Sequence, residues 1–151
     1  EYAEPRGNEL LLDLYCGVGT LGLSLAEKVA AVVGIDSSES AIEDARFNSQ
    51  DLNNVQFLQG SVEESIHDVE GKVDLVLLDP PRHGVSKKTL DVIMERAPDK
   101  VIYVSCDPAT LARDVGKMVQ SGYDLVEIQP VDMFPQTYHV EAVALLRSGP
   151  G

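Results

Sequence analysis

Short apolar runs alternate with stretches of helical periodicity along most of this chain, and this alternation is the feature that most limits its fold. The runs are rich in Val, Ile and Leu, which is typical of strands buried on both faces of a sheet. Strands that alternate with helices build a parallel sheet. The predicted strands are residues 10–15, 31–36, 55–59, 73–79 and 101–105, and the predicted helices are residues 21–29, 39–52, 62–67, 86–96 and 109–121.

The end of the chain departs from this alternation. Two strand-like runs, residues 123–134 and 138–147, are joined by a short loop that contains Pro135, with no helix between them. Strands that follow each other so closely pair as an antiparallel hairpin. We therefore predict an α/β fold with a mostly parallel seven-stranded sheet and a C-terminal antiparallel hairpin.

Length, charge and cysteine content limit the number of domains, the cellular location and the kinds of partner that the chain can have. A chain of 151 residues fits one domain, and it contains neither an apolar run long enough to span a bilayer nor a signal-like start. Two cysteines cannot build a disulfide framework, so we expect a reducing, cytoplasmic location. The net charge of −13 argues against a broad basic surface for nucleic acid on this chain, and it could simply keep the domain in solution.

The first predicted strand ends in DLYCGVGTLG, where Gly17, Gly19 and Gly22 fit the pattern G-x-G-x-x-G. Glycines at this place allow a tight turn and let a ligand approach the backbone. Asp36 ends the second strand, where an acid can accept hydrogen bonds from ribose hydroxyls. The pattern predicts a site for a ribose-bearing cofactor, either a nicotinamide dinucleotide or S-adenosylmethionine. A tight turn without a ligand is the alternative.

The fourth predicted strand ends in LLDPPRHG. Asp79 would lie at the carboxyl end of the strand, where ligands bind in open α/β sheets. Pro80 and Pro81 stiffen the loop and remove two backbone donors, so we predict a rigid edge beside the cofactor, with a plain strand-ending turn as the alternative. Arg82 and His83 could bind a phosphate or could be solvated loop residues.

Cys106 follows the fifth strand within VSCDPATLARD. Asp107 suits an N-cap and Pro108 the first position of a helix, which places Cys106 beside a helix N-terminus. Such a place favours the nucleophilic thiolate, whereas the charge of Asp107 disfavours it. Position alone leaves two roles open for Cys106, a nucleophile or a small, partly buried apolar residue. Cys16, inside the glycine turn, is interpreted as a packing residue.

Four blocks of the sequence together resemble the catalytic domain of the RNA uracil-5-methyltransferases, which make 5-methyluridine in transfer RNA and 23S ribosomal RNA. They cover essentially the whole chain in the family's order: LDLYCGVGTLGLSLA, LLDPPRHG, VIYVSCDPATLARD and DMFPQTYHVEAVALL. The resemblance implies a Rossmann-like fold of the class I S-adenosylmethionine-dependent methyltransferases, with residues 1–151 as the catalytic domain.

The resemblance also implies a mechanism. In this family a cysteine adds to C6 of uracil, C5 then takes the methyl group of S-adenosylmethionine, and a base removes the C5 proton before the thiolate leaves. Matching motif positions make Cys106 the nucleophile and Glu141 the base. Without the resemblance, Glu141 would be interpreted as a solvent-facing strand residue.

Further site residues follow from the same resemblance. Asp36 would hold the ribose of the cofactor and Asp79 would lie near its sulfonium, while Tyr15 and Thr20 would contact its methionine and adenosine parts. Gly17 and Gly19 of the glycine pattern complete the predicted cofactor site. This chain departs from the family at two of its positions. The family usually has Glu where this chain has Asp36, and Asn where it has Asp107.

Family members usually begin with a small OB-like RNA-binding domain, often followed by a segment with iron–sulfur cysteines and a helix that clamps the cofactor. Because the glycine strand comes soon after Glu1, we expect a C-terminal catalytic fragment of a longer enzyme, with any iron–sulfur cluster upstream of it. We expect S-adenosylmethionine as cofactor, ribosomal or transfer RNA as partner, no metal in this chain, no membrane contact, and a monomer.

Two other functions stay open. The block DPP, residues 79–81, also resembles the Asp/Asn-Pro-Pro block of methyltransferases that act on exocyclic amino groups, although those usually have an aromatic residue where this chain has Arg82. A nicotinamide-binding oxidoreductase, or a cofactor-binding module without catalysis, would also use the glycine turn.

Overall fold

The predicted alternation of strands and helices is present in the computed structural model of the chain, which describes residues 2–131 and 141–150. The strands are β1 (Leu10–Leu14), β2 (Ala31–Asp36), β3 (Val55–Gln59), β4 (Leu75–Leu78), β5 (Lys100–Ser105), β6 (Tyr123–Val131) and β7 (Glu141–Ser148). The helices are α1 (Thr20–Leu25), α2 (Glu39–Asn48), α3 (Val62–Ser65), α4 (Lys87–Glu95) and α5 (Pro108–Gln120). Within the described ranges, no helix is long and apolar enough to cross a membrane.

The strands form one seven-stranded sheet in the order β3-β2-β1-β4-β5-β7-β6. Strands β1 to β5 pair in parallel, and β7 is antiparallel to both of its neighbours, β5 and β6. This topology confirms the prediction of a mostly parallel sheet that ends in an antiparallel pair. The predicted loop around Pro135 and the strand ends at 132–134 and 138–140 lie outside the described residues.

Both faces of the sheet are covered, because successive side chains of a strand point to opposite faces. Leu12 and Leu14 of β1 face one side, and Leu11 faces the other. The first side packs against the buried faces of α3, α4 and α5, for example through Val62, Ile93 and Met118. The second side packs against Ala3 and against the segment after α1, through Ala26 and Val29. Apolar burial on both faces stabilises the sheet between the helices.

The two edge strands, β3 and β6, are mostly half-buried or exposed. Phe57 is the buried residue of β3, and Tyr123 is the buried residue of β6. The expectation that residues 55–59 form a strand buried on both faces is therefore wrong. An edge strand has a neighbour on one side and is less covered by helices, a position that its own sequence does not reveal.

Several helices differ in extent from the prediction. The predicted helices 21–29 and 62–67 each consist of a short α-helix followed by a turn of 3-10 helix, at Ala26–Lys28 and Ile66–Asp68. Helix α2 ends at Asn48 rather than at residue 52, within a run of Asn, Ser and Asp, which are weak helix formers. Strand β4 covers Leu75–Leu78, the buried centre of the predicted run 73–79.

Helix α5 begins as its sequence predicts. Asp107 is the N-cap, and its side chain accepts hydrogen bonds from the amides of Ala109 and Thr110 at 2.9 and 3.1 Å. Pro108 occupies the first turn, where a missing N–H costs nothing. The cap fixes the start of α5 immediately after Cys106.

Candidate functional site

The candidate site lies where the order of the sheet reverses. From β1 the chain proceeds outward through β2 and β3, and then returns to pair β4 with the other side of β1. The carboxyl ends of β1 and β4 therefore lie side by side with a crevice between their loops, which is where open α/β sheets bind ligands. The glycine turn follows β1, and the loop from Asp79 to Val85 follows β4.

The glycine turn has the backbone shape that its sequence predicts. Gly17 and Gly19 have φ angles of 56° and 88°, which favour glycine. A Cβ on Gly17 would meet open space, whereas one on Gly19 would come within 2.9 Å of the Phe57 ring. Gly17 is thus the position where a ligand can approach the backbone, and Gly19 serves packing against the core. Thr20 starts α1 and is exposed.

Asp36 binds the glycine turn directly. Its carboxylate accepts a hydrogen bond from the Gly17 amide at 2.8 Å and another from the Ser38 amide at 2.9 Å. Each carboxylate oxygen has a second acceptor position, so these bonds leave room for a further donor. Asp36 holds the turn in place and also lines the adjoining cavity.

A cavity of about 270 Å³ opens beside the turn. It is lined by Tyr15 and Asp36 from the β1 and β2 ends, by the β3–α3 segment, and by residues of the loop after β4 and of α4, including Pro81, His83 and Thr89. Burial raises the pKa of Tyr15, which keeps its hydroxyl neutral at the cavity wall. The sequence analysis did not identify Glu63, which also lines this cavity and accepts a hydrogen bond from Thr89.

A second cleft, of about 360 Å³, lies at the opposite end of the sheet, where β1, β4 and β5 begin. It is lined by charged residues that include Arg6, Glu9, Asp74 and Lys100. The Lys100 ammonium donates hydrogen bonds to the carbonyls of Tyr2 and Ala3. The cleft contains none of the site residues predicted from the sequence.

Asp79 follows β4 and is exposed to solvent. Partial desolvation and the negative charge of Glu141 raise its pKa. Because β7 runs antiparallel to β5, which is parallel to β4, the start of β7 lies at the same end of the sheet as the end of β4. The same end of the sheet therefore presents at least two carboxylates.

Cys106 is exposed, so it does not have the packing role that its position had left open. The turn that holds it is fixed by Ser105, whose hydroxyl donates to the Asp107 carbonyl at 2.9 Å and accepts from the Asp107 amide at 3.0 Å. Hydrogen bonds from the backbone amides of Thr110 and Ala109 lower the pKa of Asp107. Its negative charge is thus engaged by the helix start next to the thiol.

Glu141 is the first described residue of β7 and is half-buried. In the register of β5 and β7, Ser105 pairs with Ala142. Cys106 follows Ser105 and Glu141 precedes Ala142, so both residues lie next to this last pair at the same end of the sheet. The structure thus places the two residues for which the family resemblance implied chemical roles at one end of the sheet.

Cys16, unlike Cys106, is buried. It is buried with Ile42, Ala45 and Phe57 in a small cluster beneath the glycine turn. Burial and the charges of Asp13 and Asp36 raise its pKa to about 12. A thiol in this environment stays protonated at neutral pH, as expected for a packing residue.

Asp13 is a buried carboxyl group that was not among the predicted site residues. It is 1% exposed near the end of β1, where one carboxyl oxygen accepts from the Gly22 amide at 2.9 Å. The other oxygen has no hydrogen-bond partner among the described residues. Burial, with the charges of Asp79 and Asp36, raises the pKa of Asp13 to about 7. An acid within the apolar run LLLDL was the signal that could have revealed it.

The pKa of Asp13 predicts a pH-dependent stability. Native Asp13 keeps its proton up to about pH 7, whereas the unfolded chain loses it near pH 4, so the folded state binds the extra proton between these values. The free energy of unfolding should therefore fall as the pH rises through this window, by at most about 4 kcal/mol from this group. Asp13→Asn has no proton to lose. Its stability relative to the unchanged protein should rise by roughly 2–4 kcal/mol from pH 4 to pH 8.

Chemical denaturation at several pH values measures this difference. Asp44→Asn, on the exposed side of α2, is the matched control and should differ from the unchanged protein by the same small amount at every pH. A pH-independent difference for Asp13→Asn as well would contradict the buried, protonated state of Asp13.

The residues of the crevice fit a positively charged nucleoside cofactor. Gly17 leaves open space for close approach, Asp36 presents a carboxylate to the cavity, and Asp79 adds a carboxyl group at the end of the neighbouring strand β4. Among residues 2–131 and 141–150, no group of His, Cys, Asp and Glu side chains could hold a metal ion.

Comparison with known proteins identifies the family. The model of the family described as tRNA (Uracil-5-)-methyltransferase matches residues 2–148. The chain belongs to this family. Membership in the tRNA (uracil-5-)-methyltransferase family confirms the relationship that the four sequence blocks predicted.

Relatives within this family include a protein of Clostridium tetani that is named an uncharacterized RNA methyltransferase. It is 46% identical over 151 residues, which cover 97% of this chain and 33% of that protein. A second RNA methyltransferase, from Gloeobacter violaceus, is 47% identical over 146 residues, or 95% of this chain and 32% of that protein. The chain thus spans about a third of the length of the curated relatives it matches.

A solved member of the tRNA (uracil-5-)-methyltransferase family has the same fold. The Pyrococcus abyssi tRNA (uracil-54, C5)-methyltransferase, in complex with S-adenosyl-L-homocysteine, superposes with a TM-score of 0.80 at 41% identity, over 95% of this chain and 36% of that one. The N-methyltransferase NodS of Bradyrhizobium japonicum, with a TM-score of 0.81 at 15% identity, covers 99% of this chain and 90% of its own. This second likeness shows the fold alone. Together they confirm the predicted Rossmann-like methyltransferase fold.

Proposed function

We propose that this chain is the catalytic domain of an enzyme that transfers a methyl group from S-adenosylmethionine to C5 of a uridine in RNA. The observation that carries the proposal is the exposed Cys106 just before α5, at the same end of the sheet as Glu141 and beside the β4 loop. Membership in the tRNA (uracil-5-)-methyltransferase family supports the same reaction. Such an enzyme would act on transfer or ribosomal RNA in the cytoplasm.

The cofactor would lie in the crevice between the β1 and β4 ends. When bound, S-adenosylmethionine supplies an electrophilic methyl group on sulfur. Asp36 would accept hydrogen bonds from the ribose, Gly17 would allow close approach to the backbone, and Asp79 would lie near the sulfonium. Tyr15, Gly19 and Thr20 complete the set of proposed contacts. Support for this placement comes from the cavity beside the turn and from the S-adenosyl-L-homocysteine in the Pyrococcus abyssi relative.

Cys106 would start the reaction on the RNA base. C5 of uracil is a weak nucleophile, and addition of the Cys106 thiolate to C6 forms an S–C6 bond and moves electron density to C5. The C5 carbon then bonds to the methyl carbon as the bond from that carbon to sulfur breaks. An exposed thiol is required because an RNA base has to reach it, and Cys106 meets that requirement.

Glu141 would complete the reaction. After methyl transfer, C5 carries both the methyl group and its original proton. Glu141 takes that proton, the C5–C6 double bond re-forms, and the bond from C6 to the Cys106 sulfur breaks, which regenerates the thiolate. The register of β5 and β7 supports this role, since it brings Glu141 to the same sheet end as Cys106.

Release of tritium from RNA that contains 5-tritiated uridine tests the proposed function. With the full-length gene product, S-adenosylmethionine and unmodified transfer and ribosomal RNA, one tritium should appear in water for each methyl group incorporated. Methyl incorporation without tritium release would contradict it, because methylation of an exocyclic amino group leaves the C5 hydrogen in place. If neither the transfer RNA nor the ribosomal RNA is methylated or releases tritium, the proposal is contradicted as well.

A further inference from the structure

A second buried carboxylate lies behind the candidate site and takes no part in the reaction described above. Asp114, on α5, is 0% exposed. One of its oxygens accepts from the Tyr103 hydroxyl at 2.6 Å and from the Val85 amide at 2.9 Å. The other accepts from Nε of Arg113 at 3.0 Å. A buried charge is costly unless it is paired and hydrogen-bonded, and Asp114 is both.

These bonds join α5 to the loop between Asp79 and Val85. Arg113 continues the network, since its Nη2 donates to the His83 carbonyl at 2.9 Å. Thr110, one turn earlier on α5, donates from its hydroxyl to the Arg82 carbonyl at 3.1 Å. Three loop residues, 82, 83 and 85, are thus held by side chains of one helix.

The loop has little room to move against this helix. Gly84 has a φ of 79°, and a Cβ at this position would come within 2.6 Å of both the Arg113 guanidinium and the Asp114 carboxylate. The chain therefore passes directly over the two charged groups. This close approach requires glycine at position 84 and fixes how the loop packs on α5.

The same network reaches β5, the strand that ends directly before Cys106. Tyr103 lies in β5, shortly before Cys106, and is fully buried. Burial and the hydrogen bond to Asp114 raise the pKa of Tyr103 well above its ordinary value, so the hydroxyl remains a donor at any physiological pH. Asp114 thus contacts β5, α5 and the β4 loop at once.

We propose that Arg113 and Asp114 are positioning residues that fix the distance between Cys106 and the loop of residues 79–85. This inference rests on the proposed function, in which the target uracil enters between the thiol and that loop. The loop carries Asp79 and Arg82, and α5 carries the turn that holds Cys106. We call the hydrogen bonds from Arg113 and Asp114 to the loop the brace. Misplacement of reacting groups by about 1 Å can cost roughly 100-fold in rate, so the brace matters for turnover as well as for folding.

Arg113→Lys tests the brace with the least damage to the fold. The variant keeps the positive charge beside Asp114 but loses the planar fork that bonds two acceptors at once. Arg96→Lys is the matched control, because Arg96 also bridges two acceptors, the Ile66 and Gly71 carbonyls, at a place remote from the site. In the full-length gene product at saturating RNA and S-adenosylmethionine, Arg113→Lys should lower kcat about 10-fold or more, whereas Arg96→Lys should leave it within about 2-fold.

Two further readouts separate positioning from general destabilisation. Hydrogen exchange of the Val85 amide should be at least several-fold faster in Arg113→Lys and unchanged in Arg96→Lys. Alkylation of Cys106 by iodoacetamide should proceed at the same rate in both, because the thiol itself is untouched. If Asp114→Asn folds, it should lower kcat and speed exchange of the Val85 amide more than Arg113→Lys does. If Asp114→Asn does not fold, the results for Arg113→Lys test the proposal.

Equal kcat values for the two arginine variants would overturn the inference, as would faster exchange of Val85 with unchanged turnover. Failure of the proposed function has a different signature, since it appears as absence of tritium release from the unchanged protein. In that case the exchange comparison still shows whether Arg113 holds the loop.

Discussion

Replacement of Cys106 by alanine is expected to abolish methyl transfer to uridine. The proposed reaction cannot begin without addition of a nucleophile to C6, and loss of a covalent nucleophile commonly costs roughly 10⁴-fold or more in kcat. Because Cys106 is exposed, its truncation should change the free energy of unfolding by no more than about 0.5 kcal/mol. Loss of activity would then report on chemistry and not on folding.

Tritium release and methyl incorporation measure the effect of Cys106→Ala, with thermal unfolding and S-adenosylhomocysteine binding measured alongside. Ser121→Ala, which removes one exposed hydroxyl at the other end of α5, is the control and should keep full activity. Residual turnover of Cys106→Ala above about 1% of the unchanged enzyme would be inconsistent with a covalent mechanism at this residue.

The second large effect is expected for Glu141→Gln. Glutamine is similar in size and cannot accept the C5 proton as a base, so kcat should fall by roughly 10²–10⁴-fold. The steps before proton removal do not need Glu141. The variant should therefore accumulate RNA bound covalently through Cys106, with the methyl group already transferred.

Denaturing gel electrophoresis of radiolabelled RNA detects this adduct as a band that survives denaturant. Glu127→Gln is the matched control, because Glu127 is a strand glutamate on β6 that is exposed to solvent. It should turn over normally and accumulate no adduct. Normal turnover of Glu141→Gln would assign the proton transfer to a different group, and inactivity without any adduct would show that Glu141 acts before the C5 proton is removed.

Much of the fold could be predicted from the sequence because its strands are short apolar runs with clear boundaries. The alternation with helices predicted the parallel part of the sheet, and the missing helix after residue 121 predicted the antiparallel pair, as β7 shows. The exposed edges could not be predicted. Whether a strand such as β3 lies at the centre or at the edge depends on strand order, which pairing across the whole sheet decides.

The position of Cys106 beside a helix start could be predicted from the two residues that follow it. Asp107 and Pro108 are strong signals for the start of a helix, and the structure shows that start directly after Cys106. The location of Cys106 and Glu141 at the same end of the sheet could not be predicted from the residues themselves. It depends on the register between β5 and β7, and only the family resemblance indicated it.

The hydrogen-bond partners of the two buried acids, Asp114 and Asp13, could not be predicted from the sequence. Asp114 occupies a core position of α5 together with Leu111, Val115 and Met118, so a charged residue on the apolar face of a predicted helix was visible. Asp13 was equally visible within β1. Their partners were not, since the loop amide of Val85 and the amide of Gly22 reach them only in three dimensions.

Mapping the covalent complex with RNA that contains 5-fluorouridine tests the central claim most directly. Fluorine at C5 cannot be removed as a proton, so the proposed mechanism stops with the RNA base bound to the enzyme and the methyl group on C5. Digestion and mass spectrometry should find one modified peptide, with the methylated fluorouridine on Cys106. A stable complex at another residue, or none while the same preparation methylates ordinary RNA, would contradict the account.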